Sequence, residues 1–212
     1  MGRFITFEGI EGSGKTTQIQ MLSNRLEEEG IEHVLTREPG GTAIGDQVRK
    51  LVLNPKNTDI TPACELLLYG AARAQHLEQV IRPALQEGRL VLCDRYIDAT
   101  LAYQGYGRGL SLDLITKLHD LEVLALRPDF TVLFNLEARA ALERARAREA
   151  GGPADETRFE REDLAFHERV RAGYLNLARH EPGRFAVVDA RGTEAEVQTR
   201  VQQAVHRFLG RR

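Results

Sequence analysis

The sequence predicts an α/β fold in which a five-stranded parallel sheet carries helices on both faces, and two observations lead to this prediction. Five short apolar segments have the composition of strands, and helical sequence separates one from the next. They span residues 4–7, 31–36, 90–94, 130–136 and 185–188. Strands joined through helices need crossover connections, which place them parallel in one sheet. The 212 residues, 1–212, are enough for a single domain with a full core.

The first predicted strand leads into a glycine-rich loop and then a helix. The pattern Gly-x-x-x-x-Gly-Lys-Thr covers residues 9–16, which is a P-loop in its strand–loop–helix setting. Backbone N–H groups of such a loop, with the positive end of the helix behind them, can wrap a polyphosphate. Lys15 is expected to reach the β- and γ-phosphates, and the Thr16 hydroxyl is expected to take a place on Mg²⁺.

The second strand ends at a Pro-Gly-Gly turn, which leaves Arg37 and Glu38 at its carboxyl end. A short helix to about Leu53 follows. A longer helix begins at Pro62, because proline is favoured at the first helical position. The predicted order of strands and helices therefore continues through the first half of the chain.

The third strand ends in Asp94, as Walker B strands do, and Arg95 follows it. In open parallel sheets, ligands bind beyond the carboxyl ends of the strands, so these residues and the P-loop should converge on one crevice. Asp94 is expected to hold the metal through water. Arg95 offers a planar fork suited to a second phosphate. The alternative is an Asp–Arg pair that only fixes a loop.

Composition excludes several functional classes. The net charge of −2 gives no indication of nucleic-acid binding, and no apolar run approaches the length of a membrane span. Two cysteines, Cys64 and Cys93, are too few for a disulfide framework. No secretory leader is evident after Met1. A cytoplasmic protein without nucleic-acid or membrane partners is therefore expected.

Three motifs together resemble the thymidylate kinase family of the bacterial type. They are the P-loop, Arg-Glu-Pro-Gly-Gly-Thr after the second strand, and Asp-Arg-Tyr followed by Ala-Tyr-Gln-Gly. The resemblance covers nearly the whole chain and implies a P-loop kinase fold. It also implies a homodimer that transfers the γ-phosphoryl group of ATP to dTMP with Mg²⁺. The residues then expected to bind ATP are Gly9, Ile10, Glu11, Gly12, Ser13, Gly14, Lys15, Thr16 and Thr17.

The same resemblance implies a dTMP site. Its expected residues are Glu11, Arg37, Glu38, Tyr69, Arg73, Arg95, Thr100, Tyr103 and Gln104. Tyr69 would stack on thymine, and Arg73 would bind its exocyclic oxygen, whereas the residues alone favour a core tyrosine and a surface arginine. Thr100 and Gln104 would bind the remaining polar edge of the base.

Within this implied site, Tyr103 would exclude ribonucleotides, and Glu11 would contact the sugar 3′-hydroxyl. Arg37 and Glu38 would lie near the acceptor phosphate. The chain departs from the family at Ala99, where a serine is usual, so a hydroxyl near Arg95 is missing.

An arginine-rich segment, about 142–160, is predicted to form a short lid over the phosphates. The residues Gly151-Gly152-Pro153 should interrupt its helix, and a solvated helix face is the simpler interpretation of its arginines. By resemblance, Arg158 acts in catalysis on the transferred group together with Lys15, Arg95 and Asp94. Either Arg144 or Arg148 would lie over adenine.

Three other functions compete with this interpretation. A dinucleotide-binding loop needs a third glycine where Thr17 stands. A GTPase switch carries Asn-Lys-x-Asp, which does not occur. A P-loop deoxynucleoside kinase or another nucleoside monophosphate kinase stays open: Glu38 could serve as the base that a hydroxyl acceptor needs, whereas Arg95 favours a charged acceptor.

Overall fold

Five parallel strands form one sheet in the computed structural model, which describes residues 2–149 and 157–210. The strands are β1 (Arg3–Glu8), β2 (His33–Arg37), β3 (Leu90–Asp94), β4 (Phe130–Asn135) and β5 (Phe185–Asp189). Their order across the sheet is β2-β3-β1-β4-β5, and each neighbouring pair is parallel. The predicted parallel α/β sheet is therefore confirmed. The second strand begins two residues late, because the N–H of Ile31 still bonds to the last turn of the preceding helix, at the oxygen of Leu26.

Helices connect these strands. They are α1 (Lys15–Glu28), α2 (Ala43–Leu53), α3 (Pro62–His76), α4 (Arg82–Gln86), α5 (Ile97–Thr100), α6 (Leu112–His119), α7 (Ala138–Glu149), α8 (Leu164–His180) and α9 (Glu194–Leu209). A π-helical stretch, Leu77–Ile81, joins α3 to α4, and a second one, Leu101–Gly107, continues α5. Thr61 caps α3 through its side chain, and Pro62 follows at the first helical position, as the sequence predicts.

The core lies on both faces of β1, because alternate side chains of a strand point to opposite sides. Ile5 packs in the cluster that contains Leu22 of α1, whereas Phe4 packs in the cluster that contains Leu77 and Val91. Each fully buried side chain of this kind contributes about 1.5–3 kcal/mol of hydrophobic stabilisation. Burial on two sides explains why β1 is apolar throughout rather than alternating.

The chain reverses its direction across the sheet at β1, which lies between β3 and β4. Such a switch point opens a crevice beyond the carboxyl ends of the strands. The loop after β1 and the loop after β3 both lie there, so the strand order places the P-loop beside Asp94 and Arg95.

The predicted lid, about 142–160, is described only in part. Residues Gly151 to Pro153 lie outside the described residues, and so does the side chain of Arg148. Within residues 2–149 and 157–210, none of the helices is both long and apolar enough to cross a membrane.

Candidate active site

A cavity of about 650 Å³ lies beyond the carboxyl ends of β1, β2 and β3. Most of the predicted site residues line it: Glu11, Gly12, Gly14, Lys15, Thr16, Thr17, Arg37, Glu38, Tyr69, Arg73, Asp94, Arg95, Thr100, Tyr103 and Gln104. Gly9, Ile10, Ser13 and Arg158 are not among the lining residues. The expected convergence of three strand ends on one crevice is therefore present in the structure.

Glycine is required in the P-loop by backbone geometry and by close packing. Gly12 has φ 71°, in the left-handed region that side chains disfavour. A Cβ atom added there would lie 1.9 Å from the carbonyl oxygen of Ala141 in α7. Gly14, with φ 88°, directly precedes the first residue of α1. The loop therefore turns tightly beside the cavity at the start of α1, and the first turn of a helix favours an anion.

Lys15 is held back against its own loop. Its Nζ atom donates hydrogen bonds to the carbonyl oxygens of Gly9 and Ile10, at 2.9 and 3.0 Å. Burial lowers the pKa of Lys15 to about 8, and the nearby charge of Arg95 acts in the same direction, against the opposing charge of Asp94. A buried cation in such surroundings favours an anionic ligand such as phosphate.

The pair Thr16 and Asp94 lies at the predicted metal position. The Thr16 hydroxyl donates to Oδ2 of Asp94 at 3.2 Å. The other carboxylate oxygen, Oδ1, is buried and accepts no hydrogen bond from the described part of the chain. Mg²⁺ commonly binds through one or two carboxylates, retained waters and substrate phosphates, so a single carboxylate and a hydroxyl fit such a site.

Arg95 is fixed at the centre of the cavity. Its backbone has φ 68°, a conformation that non-glycine residues rarely adopt. Its Nη2 atom donates to Oε1 of Glu11 at 2.8 Å, and its guanidinium carbon lies 4.9 Å from the centre of the Tyr103 ring. The Tyr103 hydroxyl donates to the second oxygen of Glu11 at 2.7 Å. Burial alone would raise the pKa of Glu11, but the charges of Arg95 and Lys15 outweigh it, so this pKa is lowered.

Arg73 is buried, with an exposed fraction of 2 %, so the surface interpretation drawn from the residues alone is wrong. Its Nε atom donates to Glu38 at 2.7 Å, and its Nη2 atom donates to the Thr100 hydroxyl at 3.1 Å. A further hydrogen bond joins Nη1 to Nε2 of His119. Burial and the charge of Arg73 lower the pKa of His119 to about 2, so this histidine is neutral and can accept that bond. The second oxygen of Glu38 contacts Nδ1 of His76 at 3.0 Å.

Arg158, which the resemblance assigns to the transferred group, makes its hydrogen bonds to residues 52, 57 and 65. Its Nη1 atom donates to Oε2 of Glu65 at 2.6 Å and to the Val52 carbonyl oxygen at 3.1 Å. Its Nε atom donates to the Asn57 carbonyl oxygen at 3.1 Å. Arg158 is therefore bound to α2, α3 and the loop between them. Its role in catalysis stays a prediction.

Ala99 lines the cavity where the family usually has serine. Thr100, the neighbouring residue, has its hydroxyl engaged with Arg73. Among the described residues, no hydrogen bond joins Thr100 to Arg95.

Several residues around the cavity have no sequence signal that would identify them. Arg49 of α2 lines it and donates to the Pro39 carbonyl oxygen at 3.1 Å. Glu8, immediately before the P-loop, accepts hydrogen bonds from the Tyr96 N–H at 2.8 Å and the Tyr174 hydroxyl at 2.7 Å. Burial raises the pKa of Glu8 to about 8, and a neighbouring carboxylate adds to the shift. From the sequence alone, Arg49 in a helix and Glu8 in a strand have the character of surface residues, and only the fold shows their place near the cavity.

Lys15 and Arg95 line one cavity at the switch point of a parallel sheet, with a P-loop on one side and a buried polar pocket on the other. A protein that binds a polyphosphate and a second anion in this way is a P-loop phosphotransferase.

Comparisons with known proteins agree with this class. The family model for thymidylate kinase matches residues 7–201. Thymidylate kinase of Syntrophotalea carbinolica is 56% identical over 95% of this chain and 94% of its own length. Thymidylate kinase of Desulforapulum autotrophicum is 53% identical over 98% of this chain and 92% of its own length. The crystal structure of thymidylate kinase from Ehrlichia chaffeensis has a TM-score of 0.78 at 36% identity and covers 97% of this chain and 98% of that one.

The chain belongs to the thymidylate kinase family. It is a phosphotransferase of nucleotide biosynthesis that phosphorylates dTMP, and its fold is the P-loop kinase fold.

Proposed function

We propose that the cavity at the switch point binds both substrates, with ATP on the P-loop and dTMP on the side of Tyr69 and Arg73. One observation carries this assignment: the buried Arg73 lines the same cavity as Lys15, and Arg95 lies in that cavity as well. A cation for the donor phosphates, a cation for the acceptor phosphate and a polar pocket for the base are the three parts that such a transfer needs.

The residues act by positioning and by neutralising charge, with no covalent intermediate. Lys15 leaves its loop carbonyls and pairs with the β- and γ-phosphates, where the transferred group becomes most anionic. Arg95 holds the acceptor phosphate in line with the γ-phosphate through its planar fork. Tyr69 stacks on the base, and Arg73 donates to its exocyclic oxygen. Lys15 and Arg95 therefore stabilise the charge of the transition state, whereas Tyr69 and Arg73 bind and orient the acceptor.

Thr16 and Asp94 would hold Mg²⁺, and Asp94 would bind it through water. The buried Oδ1 atom of Asp94, which accepts no hydrogen bond from residues 2–149 and 157–210, supports this assignment. The metal held by these two residues would supply positive charge that offsets part of the charge of the phosphates.

The deoxynucleoside kinase alternative is disfavoured by the surroundings of Glu38. That reaction needs a carboxylate that accepts a proton from a hydroxyl. Both oxygens of Glu38 are engaged, one by Arg73 and one by His76, and the side chain is buried. Glu38 therefore supports Arg73 rather than acting as a base.

We expect dTMP to be the preferred acceptor with MgATP when ADP formation is assayed with dTMP, dUMP, dCMP and thymidine. The base pocket is assigned to thymine, with Arg73 at its exocyclic oxygen, and Arg95 has no ligand when the acceptor is a nucleoside. Thymidine phosphorylated faster than dTMP would contradict the assignment of Arg95. Equal rates with all three monophosphates would contradict the assignment of the base pocket.

The proposal also includes assembly of the protein as a homodimer in the cytoplasm. The helices α2, α3 and α6 pack side by side and expose Leu51, Leu67 and Leu114, with exposed fractions of 45%, 61% and 52%. Apolar side chains on neighbouring helices form the kind of patch that a second copy can cover. A reducing compartment suits the exposed thiol of Cys64.

Sedimentation velocity should therefore find a dimer of the wild-type chain and a monomer of the Leu67→Glu variant, because a carboxylate in this patch has no partner. Val187→Glu, a change of similar exposure on β5, serves as the control and should stay dimeric. A monomeric wild type, or a dimer that only Val187→Glu disrupts, would contradict this interface.

A further inference from the structure

Glu65 is a carboxylate of α3 with an exposed fraction of 0 %, and two arginines hold it. Arg158 donates to its Oε2 atom at 2.6 Å. Arg108 donates to both oxygens at 3.3 Å, through Nε and Nη2. Two guanidinium groups satisfy most of the acceptor capacity of this carboxylate and keep it from rotating. Guanidinium donors therefore reach both oxygens of Glu65, and each oxygen serves as a hydrogen-bond acceptor.

The neighbour that completes this cluster is Gln104. Its Nε2 atom lies 2.7 Å from Oε1 of Glu65. Both oxygens of Glu65 already accept hydrogen bonds from guanidinium groups, so the part of the amide that faces Glu65 has to be the NH₂ group, the only donor of the glutamine side chain. The hydrogen bond to Glu65 thereby fixes the orientation of the Gln104 amide. Glu65 thus determines which polar atom of the Gln104 amide remains for other partners.

The polar atom of the Gln104 amide that does not bond to Glu65 is the carbonyl oxygen, Oε1. Gln104 lines the cavity beside Tyr69 and Thr100. Throughout residues 2–149 and 157–210, no side chain or backbone group donates to this oxygen, and it is not among the fully buried atoms that lack a partner. The carbonyl oxygen is therefore available to a ligand, and Gln104 presents an acceptor to the base pocket.

We infer that Glu65 is a positioning residue that sets the base specificity of the acceptor site through Gln104. The inference rests on the proposed function, in which dTMP occupies this side of the cavity. Thymine carries an N3–H donor between two carbonyl oxygens, whereas N3 of cytosine is an acceptor. A fixed carbonyl oxygen at Gln104 attracts the thymine donor and repels the cytosine lone pair. Glu65 itself does not touch the base.

Arg73 adds to the discrimination between thymine and cytosine on the same side of the cavity. Its guanidinium can only donate, so it suits a carbonyl oxygen of thymine and not the exocyclic amine of cytosine. The two groups therefore form one acceptor and one donor, each held by a buried carboxylate: Glu65 holds Gln104, and Glu38 holds Arg73. This pairing gives a function to the two buried carboxyl groups on this side of the cavity.

The test is the Glu65→Gln variant, which keeps the size of the side chain. The carboxamide of the new glutamine can face Gln104 with either its carbonyl oxygen or its NH₂ group. The amide of Gln104 therefore loses its fixed orientation. We expect the KM for dTMP to rise about 10-fold, because one hydrogen bond to the base is lost. We also expect kcat at saturating dTMP and the KM for ATP to stay within about 2-fold. The ratio of kcat/KM for dTMP over dCMP should fall.

A double-mutant cycle separates positioning from general support of the fold. If Glu65 acts through Gln104, Gln104→Ala alone raises the KM for dTMP, and adding Glu65→Gln to it has no further effect. Glu162→Gln is the matched control: it removes another carboxylate that binds Arg108, at 2.6 Å, and leaves Gln104 alone. The control should keep the wild-type KM for dTMP.

The outcomes also distinguish this inference from the proposed function. A wild-type protein that does not prefer dTMP over dCMP contradicts the assigned base pocket itself. A wild type that prefers dTMP and loses affinity on Gln104→Ala, with additive effects of the two substitutions, overturns only the role of Glu65. Loss of kcat in Glu65→Gln with an unchanged KM for dTMP overturns it as well.

Discussion

Replacing Lys15 by alanine is expected to lower kcat by about 100-fold or more. The Nζ atom lies within the loop that receives the polyphosphate, and it bonds there only to neutral groups that a phosphate can replace. Burial has already removed much of the water around this cation, so its attraction to a developing negative charge is strong. Alanine removes that charge and leaves the glycine backbone of the loop in place.

Steady-state kinetics with dTMP and ATP measure this effect, and thermal unfolding shows whether the variant is folded. Lys50→Ala is the matched control, because Lys50 lies on α2 and is exposed to solvent. The control should retain the wild-type kcat. A folded Lys15→Ala variant with near-normal turnover would mean that the P-loop is structural.

Replacing Arg158 by alanine is expected to lower the free energy of unfolding by about 2 kcal/mol, because the buried carboxylate of Glu65 loses its shortest charged hydrogen bond and keeps only Arg108 as a guanidinium partner. Only 9 % of the Arg158 side chain is exposed, so solvent screens this pair little. Two backbone carbonyl oxygens, those of Val52 and Asn57, also lose their donor. Chemical denaturation measures the loss.

The same variant tests the catalytic role that family resemblance implies for Arg158. If its contacts with Glu65 are what matter, stability falls and the KM for dTMP rises, because Glu65 also binds Gln104. Arg161→Ala, at an exposed position of the same segment, should change neither quantity. A variant with full stability and a strongly reduced kcat would instead place Arg158 at the transferred phosphoryl group.

The sheet and the phosphate-binding loop could be predicted from the sequence because their causes are local. A strand buried on both faces needs a short apolar segment, and a loop that wraps phosphate needs glycine where φ is positive, as at Gly12 and Gly14. Asp94 and Arg95 could be placed near this loop because residues at the carboxyl ends of parallel strands meet at one edge.

The environment of Arg73 could not be predicted, because its partners are distant in the sequence. Glu38 precedes it by 35 residues and His119 follows it by 46. Arg158 is likewise 93 residues from Glu65. No periodicity or motif pairs such residues; only the order of strands in the sheet and the packing of α3 beneath the cavity bring them together.

The rigid setting of Arg95 has a consequence for the entropy of binding. A free arginine side chain loses about 1.5–2 kcal/mol of rotamer entropy when it is ordered. Here Glu11, Tyr103 and Tyr174 already order the guanidinium group. Little further rotamer entropy of Arg95 is therefore lost when an acceptor phosphate binds. Folding already forms the left-handed backbone at Arg95 and the buried contacts of its side chain. Ordering of the Arg95 side chain therefore does not reduce the affinity for the acceptor phosphate.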